Sequence, residues 1–103
     1  MDLQDVTHET FAGRIGEHFL LQPEGAEPVD LVLVECREYR ADVGRPPEAA
    51  RRLPFSLFFL GPSAPILPQR IYPAMHAELG ELDLFFVPVG QDASGTTYEV
   101  VFG

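Results

Sequence analysis

The chain has 103 residues, with sixteen acidic and seven basic side chains and a formal net charge of −9. This length suits one domain, 1–103, large enough to bury a core without a disulfide or a structural metal. So acidic a surface repels phosphate backbones and anionic bilayers, which argues against nucleic acid and membrane as partners.

Hydrophobic residues make up 46% of the chain and include eight Phe, a globular composition. Ten Pro and nine Gly in so short a chain predict short elements with tight connections, which favours β architecture. Cys36 is the one cysteine and has no internal partner for a disulfide. The N-terminus MDLQDVTHET lacks the apolar run of a secretory signal. LVLV and FSLFFL are too short to cross a bilayer, so the expected location is cytoplasmic.

The first predicted element is a short helix in VTHETFAGRIGEHF. Thr7 is its N-cap and Glu9 lies in its first turn, where a negative charge suits the helix dipole. Phe11 and Ile15, four apart, share one buried stripe, and Val6 staples the start. Gly13 and Gly16 end it. So short a helix is unstable alone and must dock, so Phe11, Ile15 and Phe19 are expected to be buried against the sheet.

Strands are expected at 17–22, at 29–39 and at 54–60, the last stopped by Gly61-Pro62. VDLVLVECREY begins apolar on both faces and ends polar, as a strand does when its start is covered and its end emerges. Between the second and third strands, 41–52 reads as an exposed loop with one helical turn at Glu48–Arg51. A proline-rich loop at 63–69 leads into a hairpin over 70–90. In ELDLFFVPV, Leu82, Leu84 and Phe86 point one way, while Glu81 and Asp83 point the other. The turn is Glu78–Glu81, with Gly80 free to take positive φ, and His76 ends the incoming strand. After a turn at 90–96, the closing strand alternates Tyr98, Val100 and Phe102 with Glu99 and Val101. The sum is a mainly β domain: a small antiparallel barrel or sandwich of about six strands, with one short N-terminal helix packed across it.

Chemistry-bearing motifs are sparse. His8, His18, His76 and Cys36 stand in no ligand spacing such as HxxxH or CxxC, so no metal or other cofactor is expected. Cys36 sits among Glu35, Arg37 and Glu38, and two carboxylates raise a thiol's pKa. Ser56 lies in an apolar strand without a G-x-S-x-G elbow. Gly13 to Gly16 lacks the Lys and Ser/Thr of a phosphate loop. The chain reads as a non-enzyme. A minor enzyme using His76 with a neighbouring acid trails the other readings.

The aromatics are in surplus. Phe55, Phe58 and Phe59 fall on both faces of one strand, and Phe85 and Phe86 on both faces of another. Either the helix and the loops 41–52 and 61–69 cover the second face, or a partner does. Phe58 and Phe85 are therefore candidate contacts for a protein partner or for self-association, directly or through a sheet edge beside them.

Three stretches, TFAGRIGEHFLL, LVLVECRE and TYEVVFG, flank a longer pattern. That pattern is F-x-G-P-x-x-P-x-L-P-Q-x-x-Y from Phe59 to Tyr72, then H-x-x-L-G from His76 and L-F-x-V-P-V-G from Leu84 to Gly90. On these residues the chain resembles, across nearly its whole length, a family of small, acidic, uncharacterised bacterial domains. The resemblance implies no established activity; it implies an association with phage-tail-like or tail-collar-like proteins. It also draws Pro65, Gln69, Tyr72 and His76 into one segment, which is either a binding edge or a lock in which Tyr and His bond loop carbonyls. The leading expectation is a non-catalytic structural or protein-interaction module, an accessory of a phage-tail-like assembly. The alternative is a small-molecule-binding β-barrel with a Phe-lined cavity.

Overall fold

In this computed structural model residues 3–39 and 54–103 are described. The loop expected at 41–52, its helical turn and its use as a cover lie outside those residues. Six antiparallel strands form a closed barrel in the order β1-β2-β3-β6-β5-β4. They are β1 His18–Leu21, β2 Val29–Glu38, β3 Phe55–Gly61, β4 Arg70–His76, β5 Gly80–Asp92 and β6 Gly95–Phe102. A 3-10 turn at Leu3–Asp5 and the helix α1, His8–Ala12, precede them. The mainly β expectation holds, as a barrel and not a sandwich.

Period-two alternation decides what faces in. Phe19 and Leu21, Leu31 and Leu33, and Phe55, Leu57 and Phe59 are all wholly buried, with Leu82, Leu84, Phe86, Tyr98 and Val100 at most 2% exposed. The residues between them on β1 and β5 are exposed, as expected for Glu81 and Asp83. Aromatic rings meet inside the bore: Phe19 meets Phe59 at 5.1 Å, Phe59 meets Phe86 at 5.3 Å, and Phe86 meets Tyr72 at 6.2 Å between centroids. Edge-to-face and tilted contacts of this kind stabilise aromatic cores beyond area burial alone.

The barrel is built from two three-stranded meanders, β1-β2-β3 and β4-β5-β6, closed by β1 against β4 and β3 against β6. Exchanging the meanders maps the strand order onto itself. Both middle strands carry a register shift at matching places, between Leu33 and Glu35 against β3 and between Pro88 and Gly90 against β6. The extra residues, Val34 and Val89, are 43% and 50% exposed. A bulge bends its strand and sharpens its twist, which helps six strands to close. It also resets the inward parity of β2: Leu31 and Leu33 face in before it, and Cys36, opposite the buried Leu57, packs on the core after it.

The helix does not lie across a sheet face. It plugs one end of the barrel. Phe11 is fully buried and its ring stands 6.5 Å from Phe19, 6.1 Å from Phe55 and 5.9 Å from Phe102. Thr7 is the N-cap as expected; its N–H donates to Thr10 Oγ1 at 3.0 Å, and Val6 is buried beneath. The expected stripe of Phe11 and Ile15 does not form. Helical geometry stops at Ala12 with Gly13 as C-cap, so Ile15 turns outward and is 48% exposed. Closure of the barrel also removes the free sheet edge that the sequence offered as a pairing route.

Candidate functional site

Three groups of residues account for the expected interaction segment. The first is the proline loop between β3 and β4. Tyr72 is 3% exposed, and its hydroxyl donates to the Pro68 carbonyl at 2.6 Å. The Leu67 N–H donates to the Tyr98 hydroxyl at 2.9 Å, and Gln91 Nε2 donates to the Ser63 carbonyl at 2.5 Å. The loop is thus held at its start, middle and end by side chains of β4, β5 and β6. Burial pushes the Tyr72 phenol above its ordinary value. Pro65 and Gln69 stay exposed. Tyr72 is therefore a lock of the fold and not a surface group.

The second group surrounds His76, which is only 6% exposed. Its Nδ1 accepts from the Glu78 N–H at 3.1 Å and the Leu79 N–H at 3.0 Å, within the β4–β5 turn. Those two donors fix the tautomer with hydrogen on Nε2, which donates to Glu17 Oε1 at 2.6 Å. Arg14 Nη1 lies 3.4 Å from Glu17 and 3.3 Å from Glu78, so it joins the turn after α1 to the β4–β5 turn. Both ring nitrogens of His76 are thus engaged by groups of the protein itself. His18 and Asp30 form a separate exposed pair at 2.9 Å. Among the described residues no group of three or more His, Cys, Asp or Glu could hold a metal ion.

The His76 network has a pH signature. The hydrogen bond from His76, aided by Arg14 and opposed by desolvation, holds the Glu17 carboxyl below its ordinary value of 4.5. Glu9 is lowered too, by its own backbone hydrogen bond and by Thr7. A carboxylate with a depressed folded-state pKa stabilises the fold above its unfolded value. That contribution fades as pH falls through the folded value. Glu17→Gln is therefore expected to flatten the acid side of the thermal midpoint–pH curve below pH 4.5. Scanning calorimetry of both proteins from neutral to acid pH checks it; parallel curves would mean the pair adds nothing to acid stability.

The third group is the outer surface. Phe58 is half-buried, with the Arg37 guanidinium 5.1 Å above its ring, itself held by Glu35 at 2.6 Å. A neighbouring chain of hydrogen bonds joins Tyr39 to Ser56 at 3.0 Å and Ser56 to Glu99 at 2.8 Å. The outer face of β3 is thus covered at Ser56 and partly at Phe58 by the protein's own side chains. Phe85 has no such cover among the described residues and is 48% exposed. Its cross-strand partner on β4 is Ile71, 62% exposed. The register that pairs Val87 with Glu99 brings Val101 of β6, 61% exposed, opposite Phe85 on the other side. A recess of about 260 Å³ runs along these three residues, with Asp83 the one charged side chain among the described residues of its lining. Leu20 and Met75, paired across β1 and β4 and 37% and 47% exposed, extend the apolar surface.

Of the six expected surface residues, Phe85 stands on this strip, Phe58 is capped by Arg37, Pro65 and Gln69 lie on the proline loop, and Tyr72 and His76 are inside. Ile71 was missed. Its signal was present in RIYPAMH, where Ile71 and Met75 alternate with Tyr72, Ala74 and His76, leaving an apolar residue on either face.

Among the described residues no helix is long and apolar enough to cross a membrane. The family described as a domain of unknown function (DUF6916) matches residues 6–102. No curated protein and no solved structure matches the chain.

Proposed function

The chain belongs to this family of unknown function, and we propose that it is a non-catalytic interaction module that docks a protein partner on the outer strip of Ile71, Phe85 and Val101. One observation carries the reading: three adjacent large apolar side chains, each about half exposed or more, stand together on the outside of the barrel. Isolated exposed apolar residues need no explanation; a contiguous strip beside a recess does. The net charge of −9 opposes association between copies, so the strip favours a different protein as partner. The alternative of a Phe-lined ligand cavity draws less support, because the inward Phe rings contact one another across the bore. The finer placement, as an accessory of a bacterial phage-tail-like assembly, rests on the resemblance of the sequence alone.

Ile71→Glu and Phe85→Glu test the reading. Both side chains point out of the barrel, so each variant is expected to keep the wild-type melting midpoint, within about 0.5 kcal/mol of stability. Each is expected to lose the proteins that wild type captures from host lysate. Sedimentation equilibrium over a wide concentration range is expected to show a wild-type monomer. Capture unchanged by both substitutions would sink the proposal. Wild-type association abolished by both would replace the foreign partner with a second copy.

A further inference from the structure

We infer that the end of the barrel opposite the helix carries a second, preformed site, for a small apolar molecule bearing a positive charge. It stands apart from the outer strip. A cleft of about 410 Å³ opens there between the β1–β2 connection and the proline loop, within the size range of small-molecule sites. Four of the chain's ten prolines line it: Pro23, Pro28, Pro62 and Pro65. Leu67 closes the floor.

Two features make this a site and not a gap between mobile loops. Proline fixes its own φ, so walls made of four proline rings lose little freedom when a ligand enters. The loop that carries two of them is bonded to the barrel through Leu67 to Tyr98, Tyr72 to Pro68 and Gln91 to Ser63. The flat, rigid faces of proline rings suit an aromatic ring, the complementarity by which proline segments dock on aromatic grooves.

The charge comes from the rim. Among the described residues of the lining, Glu27 and Asp30 are the charged ones. The Asp30 carboxylate is already shared with His18 Nδ1 at 2.9 and 3.1 Å. The Glu27 carboxylate has no hydrogen-bond or ion-pair partner among the described residues. A ligand ammonium reaching Glu27 gains a partner there, whereas a ligand carboxylate meets repulsion from Glu27 and from the whole acidic surface.

The test uses three probes with one apolar body: 2-phenylethylamine, 2-phenylethanol and phenylacetate, titrated into the isotope-labelled full chain. The amine is expected to shift the amide resonances of Ala26, Val29 and Leu67 at millimolar concentration. The alcohol should bind about threefold more weakly, the scale of one exposed ion pair, and the acid not at all. Glu27→Gln should bring the amine down to the alcohol. Ala26→Trp, which fills the cleft from an exposed position, should remove the shifts produced by both. The inference is overturned if none of the probes shifts these residues, if phenylacetate binds as well as the amine, if the shifts centre on Ile71 and Phe85, or if a folded Ala26→Trp chain still binds. Amine binding unchanged by Glu27→Gln would also overturn the charged part of it.

Discussion

Replacing Phe11 with alanine is expected to destabilise the protein by about 3–5 kcal/mol, the range for truncating a buried Phe. The loss is large because total stabilities run to only about 5–15 kcal/mol. Phe11 sits on a helix of five residues, His8–Ala12, which has no stability of its own. Its ring closes the barrel end where Phe55 and Phe102 stack at 4.6 Å as cross-strand partners. Truncation therefore opens a cavity against three other rings and releases the helix together. Phe11→Leu, which keeps most of the volume, should cost less than half as much. Urea denaturation followed by circular dichroism measures both. An alanine variant with wild-type midpoint and slope would show that the barrel does not need its plug, and that α1 is an arm free to serve a partner.

How far the sequence carried depends on whether a feature is local. The strands around ELDLFF and TYEVVF were legible because one alternating period settles which side chains face in. The positive φ at Gly80, the His76 end of β4 and the Thr7 cap were legible for the same reason: each is decided within four residues. Closure was not. The pairings of β1 with β4 and β3 with β6 join segments with no shared period, so barrel and sandwich stayed equivalent. The bulge at Val34 shifts parity by one residue, and in sequence that looks like a strand apolar on both faces. The helix was overextended because the spacing of Phe11 and Ile15 matched a stripe, while the glycine between them ended the helix first. At the surface, Phe85 stood out as surplus to one face, but Phe58 gave the same signal. Only the position of Arg37 over one ring and not the other separates them.

Gly95→Ala is expected to be as damaging as the loss of the Phe11 ring. Gly95 follows the β5–β6 turn, where the Ser94 N–H donates to Asp92 Oδ1 at 2.8 Å. Its φ of +138° lies in a region that residues with a Cβ scarcely enter, and holding one there costs about 1–3 kcal/mol. A Cβ would in addition strike the Gly61 carbonyl oxygen, a backbone atom at the end of β3 with no rotamer to yield. Overpacking a closed site costs about 1–3 kcal/mol more. The two costs separate by comparison with other turns. Gly80 has a φ of +78°, and a methyl group added there would meet nothing within 4 Å, so Gly80→Ala carries only the strain of the left-handed region, about 1–2 kcal/mol. Gly13 has neither positive φ nor a neighbour within 4 Å, and Gly13→Ala should fall within about 0.5 kcal/mol of wild type. Denaturant midpoints for the three variants are expected in the order Gly13→Ala, Gly80→Ala, Gly95→Ala, from highest to lowest. If Gly95→Ala unfolds no sooner than Gly80→Ala, the β5–β6 turn has room to move away from Gly61, and the barrel's far end is looser than its packing implies.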